Sequence, residues 1–416
     1  MRGNPKEGMF MRKAIVVVVS AVTAVAAIAA TVASADTARV ASPAAPNCKL
    51  ATVAYTGPYT GPAASAGLDQ RNWDRTFASY WNSGKAIPGV PASLKRTKIK
   101  AVEADTQLNP QVAATVAVQL RSNKDILAVN GFSGSQENVA GSPILRRGGL
   151  AMVSGSATRA SLTDPTTPDG SVLKKGFFRR VVPTDKRQGA TDAAFVLNKL
   201  GVKSGDRVMT VDSAEAYSVP LISLISQLLD AKGVNVSRES QPAAQTDFTS
   251  LANKAIAQNA KAIVWAGQVA SNAQVFTQQL KSKGFKGDFL ATDGAFDSTQ
   301  FTTPGAYISS FSLDIHDVPV AQPYVKSFEA KYGETISFGV PSFVAVQAMA
   351  MGISAACADG KVSRSEVRKE IGKVKMKNTI LGKPVSFDEF GDVVGGVGFT
   401  LFQIGSGGQY NVVQKG

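Results

Sequence analysis

Segments typical of β-strands alternate with segments typical of α-helices along most of this chain, and this alternation limits the possible folds more than any other feature. Short apolar runs such as residues 126–129 (ILAV) and 262–266 (AIVWA) predict buried strands. Longer amphipathic segments between such runs predict helices. Regular alternation of the two is typical of βαβ units built on a parallel sheet. We therefore expect an α/β fold.

The predicted elements form two groups, separated by a loop rich in proline and glycine at residues 164–176. The first group contains predicted strands at residues 49–55, 98–104, 126–129 and 150–153, and helices at 64–82 and 111–122. The second contains strands at 177–182, 207–211, 262–266 and 288–291, and helices at 185–200, 219–232, 245–258 and 271–283. One hydrophobic core rarely serves more than about 250–300 residues. A chain of 416 residues is therefore expected to form two lobes, with a ligand cleft between them.

The N-terminal residues 1–35 have the features of a secretory signal peptide. Arg12 and Lys13 precede an apolar run at residues 14–32, and residues 33–35 (ASA) fit a cleavage site. A membrane anchor is the alternative, because the run is just long enough to span a bilayer. The small-residue site and the polar, proline-containing linker at residues 36–47 favour cleavage. We expect an exported protein, located in the periplasm or at the cell surface.

The chain contains two cysteines, Cys48 and Cys357. In an exported protein they are able to form one disulfide, which would tie the N-terminus to the end of a helix. Two unpaired thiols are the alternative, and the sequence leaves both open. Attachment of a lipid to Cys48 is not expected, since the residue lies well beyond the end of the apolar run.

The net charge is +14, but the basic residues are scattered along the chain singly or in pairs. They are not interleaved with aromatic residues and form no continuous stripe. This pattern does not support nucleic-acid binding. It implies at most a general attraction for anionic solutes or an anionic cell surface.

Two of the predicted strands end in small residues and hydroxyls. Residues 131–135 (GFSGS) follow one strand, and the next strand ends within residues 152–158 (MVSGSAT). Backbone N–H groups and hydroxyls at such ends suit a small anion such as a carboxylate. In open α/β sheets, ligands bind at the carboxyl ends of strands. Ordinary strand-to-helix turns are the alternative explanation for each segment.

Residues able to support catalysis are scarce. His316 is the one histidine of the chain, which excludes a metal site with several histidine ligands, and two cysteines do not complete one. Residues 131–135 fall short of a nucleophile elbow, because Ser135 stands where glycine is required. A triad of Ser133 and His316 has no residue to orient it, and the chain has no Walker motif. We expect no enzymatic activity, no metal and no cofactor.

From residue 49 to the C-terminus, the chain resembles the type I periplasmic substrate-binding proteins of ABC transporters, in particular the leucine/isoleucine/valine-binding subfamily. The resemblance rests on the two hydroxyl-rich turns and on short motifs in a fixed order: YTGPAA (59–64), DT (105–106), NP (109–110), DFT (247–249), FD (387–388) and GD (391–392). It implies two Rossmann-like lobes, joined by three crossovers, that close on a ligand like a hinge. The implied lobes are residues 48–179 with 312–397, and residues 180–311 with 398–416.

The resemblance also implies ligand contacts at individual positions. Ser135 corresponds to the serine whose hydroxyl and N–H hold the ligand carboxylate. Ser156 and Thr158 correspond to the second turn, which shares the carboxylate and the amino group. Tyr217 would close over the ligand from the second lobe. Asp293 falls where the family usually has an acidic partner for an α-ammonium.

Two more positions concern the shape of the pocket. Phe338 resembles the aromatic wall around the ligand side chain. Gln268 is also assigned to the ligand pocket, but it departs from the pattern, because amino-acid binders often have a tyrosine there, and this departure concerns the closing contacts and the ligand class. The resemblance implies a monomeric protein that binds an amino acid or a related small carboxylate and delivers it to an ABC permease with its ATPase. A soluble ligand-sensing protein of the same fold, or a binder of aliphatic or aromatic acids, are the alternatives.

Overall fold

The structure of the protein, a computed structural model, describes residues 47–168, 173, 175–395 and 398–416. The predicted signal peptide and residues 36–46 of the predicted linker lie outside the described residues. Within the described ranges, no helix is long and apolar enough to cross a membrane.

The first sheet is parallel, and its strands follow the predicted alternation with helices. Its elements are β1 (Leu50–Gly57), α1 (Ala64–Asn82), β2 (Lys98–Asp105), α2 (Pro110–Ser122), β3 (Ile126–Asn130), α3 (Ser135–Arg147), β4 (Ala151–Ser154) and β5 (Phe178–Arg180). The strand order is β2-β1-β3-β4-β5. Because β3 and β4 lie inside this sheet, they are buried along their whole length, as expected for continuous apolar runs.

The second sheet begins with a similar series of helices and strands. They are α4 (Asp185–Asn198), β6 (Arg207–Asp212), α5 (Ser218–Asp230), β7 (Asn235–Ser240), α6 (Thr249–Ala257), β8 (Ala262–Ala266), α7 (Ala270–Ser282), β9 (Asp288–Ala291) and β10 (Tyr307–Ser310). All neighbouring strands among these pair in parallel.

The chain then returns to the first lobe before it completes the second. The returning elements are α8 (Gln322–Tyr332), α9 (Val340–Ala356), α10 (Arg364–Ile371), β11 (Lys375–Met376), β12 (Val385–Phe387) and β13 (Val393–Val394). The apolar helix α9 is buried along almost its whole length in the core of the first lobe, where it packs against Trp73 and Phe77 of α1. The short strands β11 to β13 form a small antiparallel sheet.

The last two strands, β14 (Thr400–Ile404) and β15 (Tyr410–Gln414), add to the second sheet in antiparallel orientation. The order of this sheet is β15-β14-β10-β9-β8-β6-β7. The two-lobed α/β fold predicted from the sequence is thereby confirmed. The boundaries given above for the two lobes stay a prediction.

One predicted helix boundary was wrong, and one strand was missed. The helix predicted from residue 245 begins at Thr249, because the carboxylate of Asp247 accepts the N–H of Thr249 at 2.9 Å while Gln245 closes a turn on Pro242. Strand β7 was not predicted. It lies at the edge of the sheet and is mostly polar, so it lacks the apolar pattern by which strands are recognised.

A disulfide joins Cys48 to Cys357, with the two Cα atoms 5.4 Å apart. Cys48 lies just before β1, and Cys357 caps the C-terminus of α9. Of the two alternatives that the sequence left open, the structure contains the bridge. It links residues 309 positions apart in the sequence and fixes the entry of the chain to the core of the first lobe.

Removal of this disulfide should destabilise the protein. Because the bridge restricts a very long loop in the unfolded chain, we expect the double variant Cys48→Ser/Cys357→Ser to lose about 2–5 kcal/mol of unfolding free energy. Chemical denaturation of both proteins measures the difference. Dithiothreitol should lower the stability of the wild type and leave the variant unchanged. Equal stability of the two oxidised proteins would contradict the prediction.

Candidate functional site

A cavity lies where the strands of both lobes end. Most of the segments that line it follow the carboxyl end of a strand. These strands are β1, β2, β3 and β4 in the first lobe and β6, β8 and β9 in the second; the other lining segments are α1 and the segment that carries Phe338. All seven residues that the resemblance assigned to a ligand line it: Ser135, Ser156, Thr158, Tyr217, Gln268, Asp293 and Phe338. The structure thus brings together the predicted set, and its role in binding stays a prediction.

On the first-lobe side, the cavity meets the N-terminus of α3. Ser135 is the first residue of this helix, so its backbone N–H has no acceptor within the helix. The N–H of Gly134 is already satisfied by the carboxylate of Glu137 at 2.5 Å. The positive end of the helix dipole and the hydroxyl of Ser135 therefore face the cavity together, an arrangement that favours an anion.

The two hydroxyl-rich turns are connected through Gln70 of α1, which the sequence analysis did not identify. The side chain of Gln70 accepts the hydroxyl of Ser133 at 2.5 Å and donates to the hydroxyl of Ser156 at 2.7 Å. Ser156 in turn donates to the backbone carbonyl of Ser133 at 2.8 Å. This closed set of hydrogen bonds fixes the distance between the two turns.

The neighbouring residue, Asp69, holds the segment that carries Phe338. Its carboxylate accepts the N–H of Gly339 at 2.7 Å and the hydroxyl of Thr335 at 2.8 Å. A Cβ atom on Gly339 would lie 2.4 Å from the backbone nitrogen of Gln70, so the approach requires glycine. The ring of Phe338 packs against Phe311 at a centroid distance of 5.4 Å.

The sequence contained a signal for these two residues. Trp73, Phe77 and Trp81 form the buried stripe of α1 at intervals of four residues. Extended backwards with helical periodicity, this stripe includes Asp69 and Gln70. Polar residues on a stripe that packs into a core must find partners there.

On the second-lobe side, Asp293 supplies a carboxylate. The hydroxyl of Tyr217 donates to its Oδ1 at 2.6 Å and lies 2.7 Å from the hydroxyl of Thr292. Burial raises the pKa of Asp293 to about 6, and the hydrogen bonds from Tyr217 and Gln188 oppose this increase. Burial also raises the pKa of Tyr217, with a further increase from the nearby Asp293. Asp293 is therefore mostly ionised at neutral pH, beside a neutral tyrosine.

Two further buried carboxyl groups lie near Asp293. Asp185 and Asp192, both on α4, are buried and interact electrostatically with it. Burial raises the pKa of Asp185 to about 7, with the Asp293 charge as the second cause, and burial holds the pKa of Asp192 well above its usual range. None of the described residues that line the cavity is lysine, arginine or histidine. The cavity therefore lacks a cation to balance Asp293.

The catalytic arrangement considered from the sequence does not form. The Nδ1 and Nε2 atoms of His316 lie 2.7 Å and 2.8 Å from the carboxylates of Asp314 and Glu329. The hydroxyl of Ser133 is bonded to Gln70 instead. Across the described ranges, no group of three or more histidine, cysteine, aspartate or glutamate side chains is arranged to hold a metal ion.

Comparison with known protein families accounts for this architecture. The model of a family described as periplasmic binding proteins matches residues 51–409. The chain belongs to this family. The resemblance inferred from the sequence motifs is thus confirmed.

This periplasmic binding protein is similar to several known proteins over most of its length. An amino acid binding protein from Pseudomonas aeruginosa is 24% identical over 82% of this chain and 87% of its own. A leucine-binding protein from Thermotoga maritima has a TM-score of 0.74 at 22% identity, covering 87% of this chain and 97% of its own. A fatty acid ABC transporter substrate-binding protein from Thermomonospora curvata has a TM-score of 0.75 at 17% identity, covering 89% and 93%. The two structures share the fold with this chain.

The buried carboxyl of Asp185 should make the stability of this periplasmic binding protein depend on pH. With a pKa of about 7 when folded and about 3.9 when unfolded, it binds its proton more tightly in the folded state. The contribution of Asp185 to the free energy of unfolding is therefore fully present below about pH 4 and is lost as the pH rises through about 7. We expect Asp185→Asn to match the wild type at pH 4 and to be about 2–4 kcal/mol more stable at pH 8.

Denaturant unfolding at several pH values measures this difference. The matched control is Asp317→Asn, whose side chain is on the surface and should leave the stability nearly unchanged at every pH. A constant difference between Asp185→Asn and the wild type across the whole range would contradict the prediction.

Proposed function

We propose that this protein is the extracytoplasmic solute-binding component of an ABC importer and that it binds an amino acid of the branched-chain type or a similar one. One observation carries the proposal: a buried cavity has an anion-binding helix N-terminus on one lobe and an unbalanced carboxylate on the other. An α-amino acid has the opposite charges, a carboxylate and an ammonium on the same carbon.

The two ends of the cavity suit the two charges of such a ligand. The N–H and hydroxyl of Ser135 offer donors to a carboxylate, and Thr158 lines the cavity beside them. Asp293 offers an ionised acceptor to an ammonium, with its orientation fixed by Tyr217. A zwitterion that leaves water needs such charge-assisted hydrogen bonds at both ends.

The remaining walls are mostly apolar and suit an aliphatic side chain. Pro58, Ala63, Ala66, Leu108 and Phe338 line this part of the cavity. A ligand side chain here would remove apolar surface from water, at about 25 cal/mol per Å². Their combination with the charged ends favours a small apolar amino acid.

The similar proteins support the proposal and also define its alternative. The names of the two similar proteins from Pseudomonas and Thermotoga refer to an amino acid and to leucine, whereas the Thermomonospora protein is named for a fatty acid. A fatty acid shares the carboxylate but has no ammonium. Binding of a simple carboxylic acid is thus the second candidate, and it would leave Asp293 unpaired.

The family and the sequence together favour an exported binding protein over an enzyme. The family match and the apolar N-terminal run are both consistent with a location outside the cytoplasm. Since the chain has no Walker motif, the energy for uptake would come from a separate ATPase, acting with a permease that receives the ligand. We propose that the binding protein acts as a monomer.

A thermal-shift screen of the protein without residues 1–35 tests the proposed function. The compounds are the standard amino acids, their deaminated and keto analogues, and aliphatic and aromatic acids. A ligand at a hundred times its Kd stabilises the folded state by about 2.7 kcal/mol, which gives a clear increase in Tm. Stabilisation by apolar amino acids alone would support the proposal. Stabilisation by simple acids alone would overturn it in favour of the second candidate.

Asp293→Asn should separate the contacts to the two charges. Because the variant lacks the partner of the ammonium, we expect at least a tenfold weaker binding of the amino acid and little change for its deaminated analogue. Wild-type affinity for the amino acid should also fall as the pH drops below about 6, where Asp293 becomes protonated.

The matched control is Ser135→Ala, which acts on the carboxylate. It should weaken the binding of the amino acid and of the deaminated analogue by similar factors. Isothermal titration of the four protein–ligand pairs gives these factors. If Asp293→Asn lowered the affinity for both ligands by the same factor, this would show that Asp293 does not contact the ammonium.

A further inference from the structure

The side chain of Gln268 reaches across the cleft to the other lobe. Its amide nitrogen donates to Oε1 of Gln136 at 2.8 Å. Gln136 lies in the first turn of α3 in the first lobe, whereas Gln268 follows β8 in the second lobe. The residue that departs from the pattern of amino-acid binders thus makes a direct hydrogen bond between the lobes.

Glu215 completes this contact. Its two carboxylate oxygens lie 3.4 Å from the amide nitrogens of Gln136 and Gln268, one oxygen to each. The amide nitrogen of Gln136 also lies 3.5 Å from the carbonyl of Leu108. Each amide has two N–H donors, so both side chains have an acceptor for each donor. Glu215 follows β6 in the second lobe. Its carboxyl group therefore accepts from one amide of each lobe.

A second hydrogen bond between the lobes lies beside this group. The guanidinium of Arg159, which follows β4 in the first lobe, donates to the backbone carbonyl of Ala216. Ala216 is the neighbour of Glu215 in the sequence. The same turn of the second lobe is therefore held at two adjacent residues.

We propose that Gln136, Glu215 and Gln268 form a polar clasp that closes the cleft in the absence of ligand. Gln268 is then a closure residue as well as part of the cavity wall. The clasp requires no ligand atom, because each of its donors and acceptors belongs to the protein. The closed form is therefore populated before a ligand binds. The clasp supplies part of the free energy of closure, and the ligand supplies the rest.

The clasp also affects ligand affinity, and this consequence rests on the function proposed above. If the closed form binds the ligand, the apparent Kd increases as the closed fraction decreases. A single hydrogen bond of this kind changes an equilibrium by about two- to twelvefold. The effect on closure itself does not depend on the identity of the ligand.

The interlobe distance of the ligand-free protein tests the clasp. Spin labels are attached to cysteines introduced at Ser122, at the end of α2, and at Ser204, before β6, both of which are exposed. The native cysteines are joined in the disulfide and do not react. Pulsed electron paramagnetic resonance then gives the distance distribution. We expect most molecules to show the interlobe distance of the structure, which is the closed form, and a minor population to show a different distance.

The variants Gln268→Ala and Gln136→Ala should each decrease the ratio of this population to the other by about two- to twelvefold. The double variant should lose little more than Gln136→Ala alone, because Gln136 takes part in both interlobe contacts of the clasp, to Gln268 and to Glu215. The matched control is Gln278→Ala, an exposed glutamine of α7, which should leave the distribution unchanged. Since the two clasp residues are on different lobes, a folding defect in one variant leaves the other as a test.

Two results would overturn the proposal. The first is a wild-type protein without the population that matches the structure. The second is an unchanged distribution in both single variants.

Titration with L-leucine adds an independent result. If it binds, its Kd should increase in the clasp variants by the factor by which the closed fraction falls, and an unchanged Kd would overturn the link to affinity. If L-leucine does not bind the wild type, this counts against the proposed ligand class, and the distances of the ligand-free protein still decide the clasp.

Discussion

Two adjacent side chains of one helix, Asp69 and Gln70, determine the shape of the cavity on the first-lobe side. Gln70 fixes the serine turns after β3 and β4, and Asp69 fixes the segment of Phe338. Both are buried, so water does not replace a partner that is lost, and an unsatisfied polar group would cost about 1–3 kcal/mol. The stripe of aromatic residues that anchors α1 in the core thereby also sets the positions of the groups that face the cavity.

The two lobes contribute opposite electrostatics to the cavity. The first lobe supplies partial positive charge through a helix N-terminus and hydroxyls, and these groups need no counter-ion. The second lobe supplies a full negative charge at Asp293, next to two more buried acids. Because no cation lines the described cavity, a bound solute with a positive group would relieve a cost that the protein bears when it is empty. This asymmetry is the basis on which we propose a zwitterion rather than a simple anion as the ligand.

The sequence predicted the fold and part of the site, and the reasons differ between residues. Ser135 and Ser156 follow strands of a parallel sheet, and this topology alone places their turns at one edge. The assignment of Tyr217, Asp293 and Phe338 to the site rested on the family resemblance, because no local sequence pattern marks these residues. The partners of Gln268 were not predictable, since they depend on how the two lobes approach each other. The roles of all of these residues in binding remain predictions.

The disulfide near the start of β1 has a mechanical consequence. Cys48 is fixed to the end of α9, and α9 packs in the core of the first lobe. Any force applied to the chain before Cys48 is therefore transmitted to the first lobe as a rigid body, without peeling β1 from its sheet. If the N-terminus were held, the first lobe would be the fixed part of the molecule and the second lobe the part free to move.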